Sequence, residues 1–431
     1  ARPEAFERLD AIAMERDDWE LQRGIYRRQL ERLGVGGPKE ARRALHQNLA
    51  TIALEKHGDE DLAREHLDKA LALAPGDLKV RERLASLTAG ADEHDKAVEL
   101  YRDLARRDPR NMEYLRQLRR MYSSTRQHDR AWCVAGILVA LGVASEKENQ
   151  FYQRFTSAAL KLKPVTLTLA QWAEHVVAPE EDWSLSEVLR ILYERIGGRL
   201  ALPSPKEAGF SKRNKVDPEE GRSLLAILDA VARVFGVQAA EVYLNETFTG
   251  LRKESTMPPC LVAGKDMLEG RRGKEIRYAV GRNLSLFLPH HALAGMLDRD
   301  NLKILLLNTM KFIFPNLPEP AGDPKHHLRL RKEMSAAFRS RVHEELKGHI
   351  GELRKKGGEI SLARWLAGVE KTACRAGLII CNDMSVASTL IQNQVSPLAR
   401  LKPDELVDDL VLYTISDDYA TIRELLGITI M

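Results

Sequence analysis

The chain has 431 residues, 44% of them hydrophobic and 30% charged, which is enough for two or three domains, each with its own core. Its 66 basic residues nearly cancel its 62 acidic ones, and the resulting net charge of +4 is too small to point to nucleic acid or a membrane surface. No apolar run reaches the roughly 18 to 20 residues that span a bilayer, so no membrane span is expected.

The opening ARPEAFERLD lacks the apolar centre of a signal peptide and has no initial Met, which reads as an internal cut of a longer chain or a processed product. Cys133, Cys260, Cys374 and Cys381 sit in apolar surroundings without a C-x-x-C pair. They read as buried free thiols in a reducing compartment, and the expected location is cytoplasmic.

Residues 1–145 repeat. Ala63, Ala97 and Ala131 lie 34 residues apart; Pro75 and Pro109 keep that interval, as do Leu84 and Leu118, and Asp77 is answered by Asn111. DEDLAREHLDKALALAPGD and DEHDKAVELYRDLARRDPRN superpose almost without adjustment. The small Ala lets the two helices of a unit approach closely, Leu67 and Tyr101 fill the seam one turn later, and Pro stops the second helix.

This pattern resembles the tetratricopeptide repeat family over about residues 40–145. Residues 1–35 form a looser unit, with Trp19, Leu21 and Tyr26 in place of small residues. The family's W-x-x-L-G-x-x-Y is mostly missing from the first helices, Leu118 and Tyr122 being its best match. The resemblance implies an α-solenoid. Its concave side either binds other chains or serves only to buttress the domain that follows. Trp132 and Cys133 read as core packing with that neighbour.

Beyond residue 145 the period is lost, and residues 146–220 read as capping helices and a polar linker. A helix is expected from about Glu146 to Leu162, and WSLSEVLRILYERIGG predicts another, stopped by Gly197-Gly198. Pro203 to Gly221 is polar and basic, an exposed loop. GRSLLAILDAVARVFGV is helical, and the following segment to Gly270 reads as strand, hairpin and strand, with Tyr243, Thr249 and Val262 suited to a pleated surface. KEIRYAVGRNLSL then places Ile276, Ala279, Val280, Asn283 and Leu286 on one buried helical face. Further helices are expected over HHALAGMLDRDNLKILLLNTMKFIF, Pro324–Lys355 and SLARWLAGVEKTACRAGLIICND, with more in the C-terminal segment. Residues 221–431 are thus expected to form an α+β domain with a small sheet among helices, and the fold class as a whole is mainly α.

Pro258 to Gly264, Glu275 to Leu286 and Glu370 to Gly377 follow in the order of P-x-x-x-V-x-G, H-E-x-x-H and E-x-x-A-D-R-A-G. Over residues 222–395 the chain resembles HtpX-like gluzincin peptidases, in which two histidines and a later Glu hold zinc and the Glu of H-E-x-x-H is the general base. The resemblance puts Arg282 at the first His, Asn283 at the base, Leu286 at the second His and Glu370 at the third ligand, with Cys374 where Asp is usual. Arg282 and Leu286 have no lone pair to offer, and one Glu cannot hold Zn²⁺. No metal or other cofactor is therefore expected. Two arrangements remain open: Arg282 pairs with Glu370 inside the old site, or both project to solvent.

His290-His291 and His326-His327 lack the i, i+4 spacing of a metal clamp and read as loop or helix-cap residues. Lys265 follows Gly264 without a P-loop, and Ser285 and Ser396 lack a G-x-S-x-G context. Arg271, Arg272, Lys274 and Arg277 read as a solvated helix start; Asp408-Asp409 and Asp417-Asp418 read as caps or surface.

The function expected is a non-enzymatic scaffold for protein partners, in some cases part of a larger assembly. Repeat proteins of this build occur in myxobacterial-type soil bacteria. The alternatives are an enzyme with a non-zinc site using Cys374 or Cys381, or a nucleic-acid binder using Lys212 to Lys215, although no nucleic acid is expected.

Overall fold

The computed structural model describes residues 3–91, 93–156, 162–355, 361–393 and 397–430. These are mainly helical, with twenty α-helices and one three-stranded mixed sheet. The chain forms two compact units, Ala1–Val134 and Ala135–Met431. Ser396 lies outside the described residues.

The first unit is a run of antiparallel helices: α1 (Pro3–Glu15), α2 (Trp19–Leu33), α3 (Lys39–His57), α4 (Glu60–Leu73), α5 (Leu78–Gly90), α6 (His94–Arg107) and α7 (Met112–Ser124). From α1 to α7 each helix packs on the next in sequence. The unit boundary falls within α8 (His128–Ala140).

The 34-residue interval has a visible local cause. Ala63, Ala97 and Ala131 are all fully buried, so no larger side chain fits there without displacement. Pro75 and Pro109 each lie two residues past a helix end, at Leu73 and Arg107. Asp77 and Asn111 then cap the next helices, accepting from Val80 and Tyr114 amides at 3.2 and 3.4 Å. Side chains also join equivalent turns: Arg43 pairs with Asp77, and Arg23 meets His57 at 3.3 Å. Leu67, Leu84, Tyr101, Leu118, Tyr122, Trp132 and Cys133 are buried.

The second unit opens with α9 (Glu146–Thr156), α10 (Leu169–His175), α11 (Trp183–Ile196) and α12 (Arg222–Phe235). The strands β1 (Val242–Leu244), β2 (Leu251–Lys253) and β3 (Leu261–Ala263) follow, then α13 (Gly273–Leu284), α14 (Arg299–Ile313), α15 (Pro324–Ala337) and α16 (Ser340–Lys355). The unit ends with α17 (Leu362–Cys381), α18 (Met384–Gln392), α19 (Pro403–Thr414) and α20 (Asp417–Leu426).

Helix α17 is the axis of this unit. It starts at the Ser361 cap, which accepts from the Arg364 amide, and stops where Asn382 turns left-handed at φ 51°. Every residue from Thr372 to Cys381 is buried, and α13, α18 and α19 all pack against it. Its first half joins an apolar cluster with α11, α14, α15 and α16, in which Leu189, Leu305, Leu346, Trp365 and Val369 are buried. Two glycines let α13 and α17 approach. A Cβ on Gly281 would lie 2.8 Å from the Ala376 carbonyl, and one on Gly377 2.8 Å from the Tyr278 ring.

Several sequence expectations change in detail. The sheet order is β1-β3-β2: β1 runs parallel to β3, and β2 is antiparallel to it, so β2–β3 is the only hairpin among the described residues. Thr249 stands outside the strands. The described part of α9 ends at Thr156, and residues 157–161 lie outside the described ones. Residues 290–297 form turns, because the helix expected there begins only at the Asp298 cap. The loop before α12 is mostly exposed, but its Val216 amide donates to the Val242 carbonyl at 2.9 Å and so covers the outer edge of β1.

Candidate functional site

Arg282 on α13 and Glu370 on α17 form an ion pair across the helix crossing, with the Glu370 side chain 1% and the Arg282 side chain 14% exposed. The other Glu370 oxygen accepts from the Leu398 amide at 2.9 Å. Burial works against the guanidinium charge, but the adjacent Glu370 carboxylate more than offsets it and keeps Arg282 protonated. Tyr278 and Cys374 are buried beside the pair, and burial raises both the phenol and the thiol.

Asn283, next along α13, has a different task. In the β2–β3 ladder the Gly250 carbonyl accepts from Gly264 at 2.8 Å, and the Glu254 amide donates to Cys260 at 2.9 Å. By the alternation of an antiparallel pair, the Leu251 carbonyl and Lys253 amide face away from β3, toward the open edge. The Asn283 carboxamide meets both, donating to Leu251 O at 3.0 Å and accepting from Lys253 N at 3.1 Å. It also donates to its own helix at Ala279 O, 2.9 Å away. One side-chain amide thus stands where the peptide group of a further strand would.

Leu286 lies beyond the end of α13, on the tighter 3-10 turn Ser285–Phe287, and belongs to the apolar cluster of α11 and α17. It does not continue the α-helical face of Arg282. Of the four residues at the expected degenerate metal site, the fold therefore joins Arg282 to Glu370, and gives Asn283 and Leu286 to the sheet edge and the core.

A second buried polar cluster lies on the other side of α17, and here sequence reasoning missed the partners. Both nitrogens of buried His291 face acceptors: Nε2 is 2.7 Å from Glu181 and Nδ1 is 3.2 Å from the Ser285 carbonyl. Glu181 also accepts from Ser186 at 2.8 Å and Thr372 at 3.1 Å, and Ser186 in turn accepts from Trp365 at 2.8 Å. Burial alone would raise the Glu181 carboxyl, but the charge and hydrogen bond of His291, with those of Ser186 and Thr372, hold it below the usual carboxylate range. Burial would lower His291; Glu181 reverses that and raises it. The pair reads as imidazolium and carboxylate.

His290 points elsewhere. Its Nε2 is 3.0 Å from Glu187, its ring stacks on Trp183 at 4.6 Å, and burial outweighs Glu187 so that its pKa falls. His290 and His291 thus lie in the turns before α14, as expected of loop residues, but both are buried. His326 and His327 fall in the first turn of α15, where His327 Nδ1 meets Asn308 at 2.8 Å.

Three other charges are also more embedded than the sequence indicates. Lys274 is not simply solvated, since it bridges Asp383 at 2.8 Å and the Thr156 carbonyl at 2.7 Å. Asp409 is buried in a two-pronged pair with Arg375, at 2.9 and 2.8 Å. Lys253 places its Nζ 2.7 and 3.0 Å from the Leu286 and Ala292 carbonyls, and burial pushes it down to about 7. Lys215 in the basic loop pairs with Glu241 at 2.8 Å.

All four cysteines are buried thiols, and burial pushes Cys381 up to about 12. A buried thiol of raised pKa is a poor nucleophile. Among the described residues no group of three or more His, Cys, Asp or Glu could hold a metal ion. No protein-family model matches the chain, and no curated protein matches it either.

Proposed function

We propose that the chain is a non-enzymatic scaffold for protein partners, a tetratricopeptide-type array joined to a gluzincin-like domain in which an ion pair occupies the former metal position. The observation that carries this reading is the engagement of Glu370, one oxygen on Arg282 and the other on the Leu398 amide. Both oxygens of this carboxylate are already engaged rather than directed at a metal ion, and its neighbours at the matching positions offer an always-charged guanidinium, an amide and an alkyl group. Asn283 at the general-base position is committed to the sheet edge. Removing base and ligands together leaves the helix frame of a hydrolase without its donor set.

The array supplies the partner-binding surface in this reading, since stacked helical repeats present a continuous face to other chains. The alternative of thiol chemistry is disfavoured by the burial of Cys374 and Cys381. The same four buried thiols suit a reducing compartment, and we place the protein in the cytoplasm. Among the described residues no helix is long and apolar enough to cross a membrane.

Incubating the purified full chain with zinc, dialysing it, and measuring bound zinc and casein hydrolysis tests the proposal. Absence of both is expected. About one zinc retained per chain, or hydrolysis lost on chelation, would overturn it.

A further inference from the structure

His46 on α3 and His66 on α4 face each other within the first unit, their Nδ1 atoms 3.1 Å apart and their ring centroids 5.3 Å apart. At that separation one neutral ring donates and the other accepts, so the contact holds a single proton. A second proton would set N–H against N–H. His66 is 7% exposed, and its Nε2 is buried without a hydrogen-bond partner among the described residues. An imidazolium there would gain no acceptor on its far side.

The charges around the pair point the same way. Lys69 bears on both rings, Arg42 on His46 and Arg27 on His66, and all three oppose added positive charge. Only Glu65 favours it, and that carboxylate is bonded to Lys69 at 2.5 Å. The three cations also argue against a metal ion lodged between the rings.

We propose that the His46–His66 contact is an acid-sensitive latch, which holds α3 to α4 at neutral pH and loosens that seam locally as the pair takes up a second proton. The inference does not depend on the scaffold reading. Burial first, then the facing His46 ring and Lys69, lower His66 to about 4, and burial lowers His46 as well. A base of depressed pKa contributes a stability penalty that is absent above the unfolded value near 6.5 and grows as pH falls toward the folded one.

Hydrogen exchange of the full chain at pH 7.5 and pH 5.0, corrected for intrinsic rates, reads the latch directly. The opening constant of α3 and α4 is expected to rise about 30-fold more in the parent than in His66→Gln. In His46→Gln, which alters the more exposed ring, the rise should be smaller than in the parent. NMR titration of His66 gives a readout that survives if His66→Gln fails to fold. Equal rises in parent and variants, or a His66 ring that titrates at or above 6.5, would overturn the proposal.

Discussion

Asn283 accepts a hydrogen bond from the Lys253 amide at 3.1 Å while donating to the Leu251 carbonyl at 3.0 Å, closing the free edge of β2 with a side chain. An exposed strand edge is a template for unwanted pairing, and here α13 covers it. Asn283→Ala leaves an amide and a carbonyl unsatisfied and is expected to cost about 2 to 4 kcal/mol in denaturant unfolding. Asn283→Asp keeps the acceptor but loses both donated bonds, setting a carboxylate against two carbonyls, so it should be no better. A stability loss under about 0.5 kcal/mol for Asn283→Ala would show that the edge needs no partner.

Glu181 and His291 predict a stability window in pH. The lowered carboxyl contributes stability that is present above the unfolded carboxyl value near 4 and lost as pH falls through its folded value. The raised imidazole contributes stability that is present in full below about 6.5 and lost as pH rises through its folded value. His291→Gln should therefore be most damaging near pH 5 to 6, by about 3 to 5 kcal/mol, and less damaging toward pH 9. Thermal unfolding of parent and variant across that range checks it. A gap that stays constant with pH would mean that His291 is neutral in the fold.

Ala97 is fully buried at a helix crossing of the array. Ala97→Leu adds three carbons where there is no space and is expected to destabilise by about 1 to 3 kcal/mol. Unfolding indistinguishable from the parent would mean the 34-residue register is drawn wrongly.

What the sequence shows and what it hides divide along physical lines. The positions of Ala63, Ala97 and Ala131, the helix stops before Pro75 and Pro109, and the helix end at Gly197 depend on neighbours within a few turns, so local pattern reveals them. The Arg282–Glu370 pair was one of two arrangements the sequence left open, raised only because the proposed resemblance set two distant helices side by side. Glu181 and His291, 110 residues apart, carry no such alignment, nor do Arg375 and Asp409. The available signal at Glu181 was a carboxylate just before the Asp182 cap of a strongly apolar helix, and that is equally the mark of a solvated turn. The mixed sheet was misread because strands of three residues are too short for a period-2 pattern to fix their order.

The central claim is that Arg282 and Glu370 form a buried ion pair between α13 and α17, and a double-mutant cycle on the two tests it most directly. Arg282→Met and Glu370→Gln each strand a partner and should cost about 3 to 5 kcal/mol, whereas an exposed pair would give about 0 to 1. Combined, the two changes should cost far less than the sum of the singles, because neither charge is then left alone. Costs that simply add, with no coupling between the two residues, would contradict the account.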